Sequence, residues 1–288
     1  MSRSTRFRAY QLGEKGSSFS YTVGNYITVI EGRYNDVNKA NLLSEVRRTG
    51  QNRIDCLHIT SWDEDHCKFG ELQNLITDLS PRIIEYPWYV PDTKCGMDSK
   101  TLIENYIRRT SNYGKAISPS YINNLEEGEL LKYSNILYNP LSDAGSHNDN
   151  SVVQLFRRGK FTILSLGDCE SKQIAERIMY STIAPKEVDV MILAHHGADN
   201  GFTTHEFVDR IKPKVAICSS NYDNQFEHPR QEVRDILYDL NVPLYTTKTG
   251  DVIIDCPTGN VARIYNFISN NEVLNSSKTF YTKLNVPD

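Results

Sequence analysis

The segment Ile54-Asp55-Cys56-Leu57-His58-Ile59-Thr60-Ser61-Trp62-Asp63-Glu64-Asp65-His66 changes character halfway. Ile54–Thr60 is largely apolar and β-branched and reads as a buried strand. Ser61–His66 holds three carboxylates and an imidazole. In α/β sheets, ligands gather beyond the carboxyl ends of the strands, so the polar cluster marks one end of a sheet as chemical. Alone, Asp63-Glu64-Asp65 reads equally well as the acidic N-terminus of the following helix, where carboxylates favour the dipole.

Three later segments repeat the pattern. Phe161–Leu166 runs into Gly167-Asp168, Val188–Ala194 into His195-His196-Gly197, and Val215–Ser219 is followed after a loop by His228-Pro229. Each alone is an ordinary turn or loop. Four such clusters, each after an apolar strand, predict one site. Asp63, Asp65 and Asp168 offer oxygen, and His66, His195 and His228 offer imidazole, a mixed set suited to divalent metals. Gly167 and Gly197 permit close backbone approach.

Around these segments the chain alternates. Strands are expected within Ser20–Glu31 around a Gly24-Asn25 turn, then at Arg82–Tyr86, Leu244–Thr246 and Val252–Asp255. Ser151–Phe156 and Phe161–Leu166 predict a hairpin over Arg157-Arg158-Gly159-Lys160. Helices are expected at Asp36–Arg48, Phe69–Leu79, Ser99–Thr110, Ser171–Ser181, Thr204–Arg210 and Gln231–Leu240. Strands first, then alternation, argue for an α/β fold with mixed sheets. One domain is expected over residues 1–265, with an irregular insertion at about 85–147, and residues 266–288 read as a C-terminal appendage.

The 288 residues are long enough to bury a core without disulfides or metals. With 32 basic and 36 acidic residues the net charge is −4, which excludes a strongly basic coat but not a local basic groove. The six cysteines form no CxxC pair, as expected of reduced thiols in a cytoplasmic protein. No run of 18 apolar residues suggests a membrane span, and Met1–Tyr10, polar and Arg-rich, lacks the apolar core of a secretory signal.

The ordered set of motifs resembles the metallo-β-lactamase superfamily, and within it the hydrolase domain of the ComEC-type DNA-uptake proteins. The T-H-x-D-x-D-H signature of that subgroup reads Thr60-Ser61-Trp62-Asp63-Glu64-Asp65-His66 here. N-D-x-S reads Asn148-Asp149-Asn150-Ser151, T-G-D reads Leu166-Gly167-Asp168, and H-H-G-S reads His195-His196-Gly197-Ala198. S-S-x-x-N…H-P reads Ser219-Ser220-Asn221…His228-Pro229. Two departures stand out: Ser61 replaces the first histidine, and Glu31 replaces a supporting aspartate.

The resemblance implies an αββα four-layer sandwich, two mixed β-sheets flanked by helices. It implies Asp63, Asp65, His66, Asp168 and one of His195 and His196 as metal ligands, His195 being preferred because it follows its strand directly. Asp65, His196 and His228 are the expected catalytic residues, with Ser219, Ser220 and Asn221 expected at the substrate. One or two divalent ions are expected; the oxygen-rich set favours Mn²⁺ or Mg²⁺, and Zn²⁺ stays compatible. The implied activity is phosphodiester hydrolysis by metal-activated water, with DNA as the leading substrate. The alternatives are a small phosphodiester or cyclic nucleotide, or a degenerate binding or regulatory module left by the loss at Ser61. Arg47-Arg48, Arg108-Arg109 and Arg157-Arg158-Gly159-Lys160 are candidates to line a backbone groove, and Tyr86, Trp88, Tyr89 and Tyr113 to stack bases, although solvated surface and core or rim packing are the commoner accounts of such residues. A protein partner in a multi-gene genome-defence system is a further expectation, and a membrane partner is not.

Overall fold

Alternation of apolar and polar side chains builds the centre of the molecule. The computed structural model describes residues 4–117, 135–139 and 146–283. β1 (Thr5–Ala9), β2 (Phe19–Val23) and β3 (Tyr26–Ile30) form an antiparallel meander turning at Gly24, whose φ of 60° suits a glycine. β4 (Cys56–His58), β5 (Ile83–Pro87) and β6 (Tyr113–Ile117) extend it as parallel strands. On the other side β13 (Val252–Cys256), β14 (Val261–Ile268) and β15 (Val273–Tyr281) complete a nine-stranded sheet in the order 15-14-13-1-2-3-4-5-6.

The second sheet has the order 12-11-10-9-8-7. Its strands are β7 (Ile136–Tyr138), β8 (Val153–Phe156), β9 (Thr162–Ser165), β10 (Val188–Ile192), β11 (Val215–Cys218) and β12 (Leu244–Thr246). β7, β8 and β9 pair antiparallel, whereas β9 to β12 run parallel. The hairpin between β8 and β9 lies over Arg157–Lys160, as the sequence predicts.

Three apolar layers hold the sheets and helices together. Phe7, Phe19, Phe161, Ile163, Val190 and Ile217 are among the residues filling the space between the sheets. α1 (Lys39–Arg48), α2 (Phe69–Leu79) and α3 (Lys94–Thr110) cover the outer face of the nine-stranded sheet through Leu42, Leu72, Leu75 and Ile103. α4 (Lys172–Met179), α5 (Ala184–Glu187), α6 (His205–Ile211) and α7 (Gln231–Asp239) belong to the other sheet, which they cover through Ile174, Ala184, Phe207 and Val233. Burying each such large side chain contributes about 1.5–3 kcal/mol before entropy is counted. The result is the expected αββα sandwich.

Two features differ from the sequence reading. Thr5–Ala9, polar and Arg-rich in sequence and assigned no element there, is a central strand. Its arginines are held in ion pairs, the half-buried Arg6 with Glu45 at 2.9 Å and the buried Arg8 with Asp251 at 2.6 Å. Residues 261–281, split by the expected boundary at 265/266, form one antiparallel hairpin at the sheet edge. Of the insertion at about 85–147, residues 118–134 and 140–145 lie outside the described residues; residues 85–117 supply the end of β5, α3 and β6. No described helix is long and apolar enough to cross a membrane.

Candidate metal centre

The parallel strands β4, β10 and β11, with β9, deliver the four polar clusters to one end of the sandwich. After β4 the chain makes a tight turn in which the Asp63 carbonyl accepts hydrogen bonds from the backbone of His66 and Cys67, at 2.9 and 2.8 Å. After β9, Gly167 (φ 56°) reverses the chain, and the Ser151 hydroxyl accepts the Asp168 backbone N–H at 3.1 Å. A Cβ on Gly167 would stand 2.7 Å from the Ser151 Cβ, so glycine is required there. After β10, His195 and His196 take left-handed backbone conformations, with φ of 45° and 54°.

These turns bring one donor atom each of Asp65, His66, Asp168 and His196 within 4.8 Å of one another. Nε2 of His66 lies 2.9 Å from Asp168 Oδ2, and Nε2 of His196 lies 3.7 Å from both Asp168 Oδ1 and Asp65 Oδ2. Both Nε2 atoms are buried, and neither finds a hydrogen-bond partner among the described residues. Two orphaned imidazole nitrogens beside two carboxylates meet the donor requirements of a divalent cation.

The far sides of both rings are anchored. His66 Nδ1 lies 3.1 Å from Glu31 Oε1, and Glu31 accepts the Thr60 hydroxyl at 2.6 Å and the Thr60 N–H at 3.1 Å. His196 Nδ1 pairs with the Ser219 carbonyl at 2.8 Å. Such partners fix ring tautomer and orientation. The longer Glu31 thus fills the supporting position.

Electrostatics follow from the crowding. Burial works against charge on Asp168, but His66 and His196 hold its pKa below the usual carboxylate range. Asp65 is likewise opposed by burial and held down by the neighbouring His196 and His66 imidazoles. His66 and His196 are pushed down by burial, yet Asp168 and, respectively, Glu31 or Asp65 leave both raised. Asp63 has no such compensation: burial pushes it up, and the His66 charge only partly offsets this.

Among the other expected residues, His195 and Asp63 line the same pocket but stand outside the four-donor cluster. The cluster therefore takes its second imidazole from His196, not from the preferred His195. Anchoring to Ser219 turns the His196 ring inward, whereas His195 Nδ1 lies 3.4 Å from Glu170. Ser61 is buried, hydrogen-bonded to Asp63 at 3.2 Å and 3.5 Å from the Tyr89 hydroxyl. His58 lies away from the cluster, against Glu85 at 3.0 Å.

His228 lies over the cluster, its ring 6.4 Å from that of His196 and 5.9 Å from that of His195. Burial, then the His196 and His195 charges, pushes its pKa down to about 4. Ser219 and Ser220 both line the pocket; Ser219 donates its hydroxyl to the Gly16 carbonyl at 2.7 Å, and Ser220 is tied to Thr247. Asn221 lines the pocket together with Lys15, Asn224 and Phe226, of which Asn224 and Phe226 were not flagged by the motifs. Asn224 and Phe226 lie between Asn221 and His228, and that loop was the available signal. The cavity measures about 420 Å³. None of the expected arginine pairs lines it, and Arg157 pairs instead with Glu187 at 2.6 Å.

No family model matches the chain. Over 208 residues it is 26% identical to ComE operon protein 3 of Bacillus subtilis, covering 71% of this chain and 25% of that protein. Over 91 residues it is 33% identical to Recombination protein 2 of Haemophilus influenzae, covering 32% of this chain and 11% of that protein. The matches span a quarter or less of either relative's length. A metallo hydrolase from the hyperthermophilic archaeon Ignicoccus hospitalis aligns with a TM-score of 0.45 at 10% identity, covering 87% of this chain and 98% of that one. The sequence matches bear out the resemblance to the ComEC-type proteins, and the described residues form a four-layer sandwich with a four-donor cluster at one end.

Proposed function

We propose that the chain is a metal-dependent phosphodiesterase that cleaves DNA. The observation that carries this reading is the four-donor cluster of Asp65, His66, Asp168 and His196 with its two orphaned nitrogens. Asp65, His66, Asp168 and His196 would hold the ion. When bound, a divalent ion supplies Lewis-acid polarisation of a phosphoryl oxygen and lowers the pKa of water from about 15.7 toward about 7. Asp168, kept ionised by two imidazoles, contributes fixed negative charge to the ion site. His228, neutral near pH 7, accepts a proton or donates one N–H hydrogen bond to the departing oxygen. Asn221 and Lys15 orient the phosphate from the pocket wall. DNA is favoured because the matched relatives include one named for recombination.

End-labelled single- and double-stranded DNA incubated with Mn²⁺, Mg²⁺ or Zn²⁺ tests the reading. Metal-dependent cleavage is expected, abolished by EDTA and lost in Asp65→Ala by more than the roughly 10–100-fold that outer-shell changes cost. Folded protein that cleaves with none of the three metals would sink it. One observation favours a small phosphodiester instead: the 420 Å³ cavity falls in the roughly 300–1,000 Å³ range of small-molecule sites. Turnover of a cyclic dinucleotide with no cleavage of DNA would decide for that reading. The intact cluster weighs against a degenerate binding module.

A further inference from the structure

Beside the catalytic pocket lies a second groove of about 340 Å³, walled by Tyr222, Asn224, Glu227, Gln231, Arg234 and Lys248. Asn224 lines both, so the two are neighbours across one side chain. We propose that this groove is the subsite for the neighbouring phosphate and base of an unpaired nucleic-acid strand whose scissile phosphate sits in the pocket, a proposal that rests on the phosphodiesterase reading of that pocket.

The charges are arranged for an anion. Arg234 on α7 and Lys248, just beyond β12, are both half-buried, and neither forms an ion pair among the described residues. Arg234 spends only Nε, on the Pro229 carbonyl at 2.7 Å, which leaves its terminal nitrogens for a ligand. Glu227, the one acid in the lining, is paired with Arg230 at 3.1 Å. Burial and the Arg234 charge push the Lys248 pKa down. Two half-buried cations that repel each other gain when an anion lies between them.

The aromatic groups select unpaired bases. Tyr222 is 73% exposed on the groove wall, and Phe226 is 56% exposed with its ring 5.6 Å from that of His228. Large aromatic faces open to water beside cations are the ingredients of single-strand binding, where each base stacks on a ring. In a duplex those base faces are already stacked.

The test is binding of a fluorescein-labelled 12-nucleotide DNA to the full chain in EDTA, read by anisotropy over a salt series. The Arg234→Ala/Lys248→Ala double variant is expected to bind at least about tenfold more weakly. Its slope of log affinity against log salt is expected to fall by about 0.7, the value for one lost phosphate contact. Tyr222→Ala is expected to weaken binding about fivefold or more. Lys248→Arg retains affinity, and Lys278→Ala, on β15 and outside the groove lining, leaves it unchanged. Unaltered affinity and slope in the double variant, no binding by wild type, or equal binding of duplex and strand would overturn the proposal. Hydrolysis of bis(4-nitrophenyl) phosphate by wild type with Mn²⁺, Mg²⁺ or Zn²⁺ reports separately on the pocket: its absence with all three alongside the expected binding pattern would sink the phosphodiesterase reading and leave the groove standing.

Discussion

Two adjacent histidines with similar backbone angles meet different surroundings, and the difference decides which of them joins the cluster. Hydrogen bonding to the Ser219 carbonyl orients His196 Nε2 toward two carboxylates, whereas His195 faces Glu170 and Asn200. His196→Ala is therefore expected to weaken binding of the cluster metal by more than about 100-fold, and His195→Ala by less than about tenfold. Titration calorimetry with Mn²⁺ or Zn²⁺ measures both, and equal losses would show that the two rings share the ion. Glu31→Gln weakens the hold on His66 Nδ1 and is expected to cost about 10–100-fold in metal affinity or turnover. The residue types of the cluster were legible in the sequence, since carboxylates and imidazoles stood at strand ends. The choice within His195-His196 was not, because it depends on Ser219, 23 residues from His196.

Turns, more than strands, set the geometry of the centre. Gly197 (φ 79°) follows the histidine pair, and a Cβ there would stand 2.7 Å from the Pro229 Cβ and 3.1 Å from its Cα. Gly197→Ala is expected to cost about 2–4 kcal/mol, from left-handed backbone strain and from overpacking against the loop that carries His228. Urea unfolding reads the stability. A fall in turnover larger than the fall in metal affinity would locate the damage at His228; an unchanged midpoint would contradict the crowding. Elements with strong periodicity, such as Phe69–Leu79, could be read directly from sequence. β1 could not, because Arg6 and Arg8 look solvent-facing until Glu45 and Asp251 are brought against them by the fold. β15 could not either: it lies on a sheet edge, mostly exposed, so no alternation is imposed on it.

At the scale of the whole molecule, the chain after β15 links the two sheets. β15 belongs to the nine-stranded sheet, but two residues later the Lys283 N–H donates to Asp189 Oδ1 on β10 of the other sheet at 2.8 Å. Lys283 Nζ reaches the carbonyls of Pro185 and Ile211, both at 2.9 Å. The polar composition that suggests an appendage thus contains a strap, and composition alone cannot report a contact 94 residues away. Asp189 is fully buried, and burial pushes its pKa up to about 6 although the Lys283 and Thr162 backbone N–H groups hold it down. An unfolded aspartate titrates near 3.9, so between about pH 4 and 6 the folded chain keeps a proton that the unfolded chain releases. The resulting stabilisation is present in full below about pH 4 and is lost as pH rises through about 6. Lys283, pushed down to about 8 mainly by burial, titrates above that window. Asp189→Asn removes the titration and adds a constant cost for one lost acceptor. The stability of wild type minus that of the variant is therefore expected to fall by about 2–3 kcal/mol between pH 4 and 7, because each pH unit separating the folded and unfolded titrations is worth about 1.36 kcal/mol. Urea unfolding of both chains at half-unit pH steps measures it; a difference that stays flat would mean that Asp189 is already ionised at pH 4 in the folded chain, and that the strap holds a charged carboxylate.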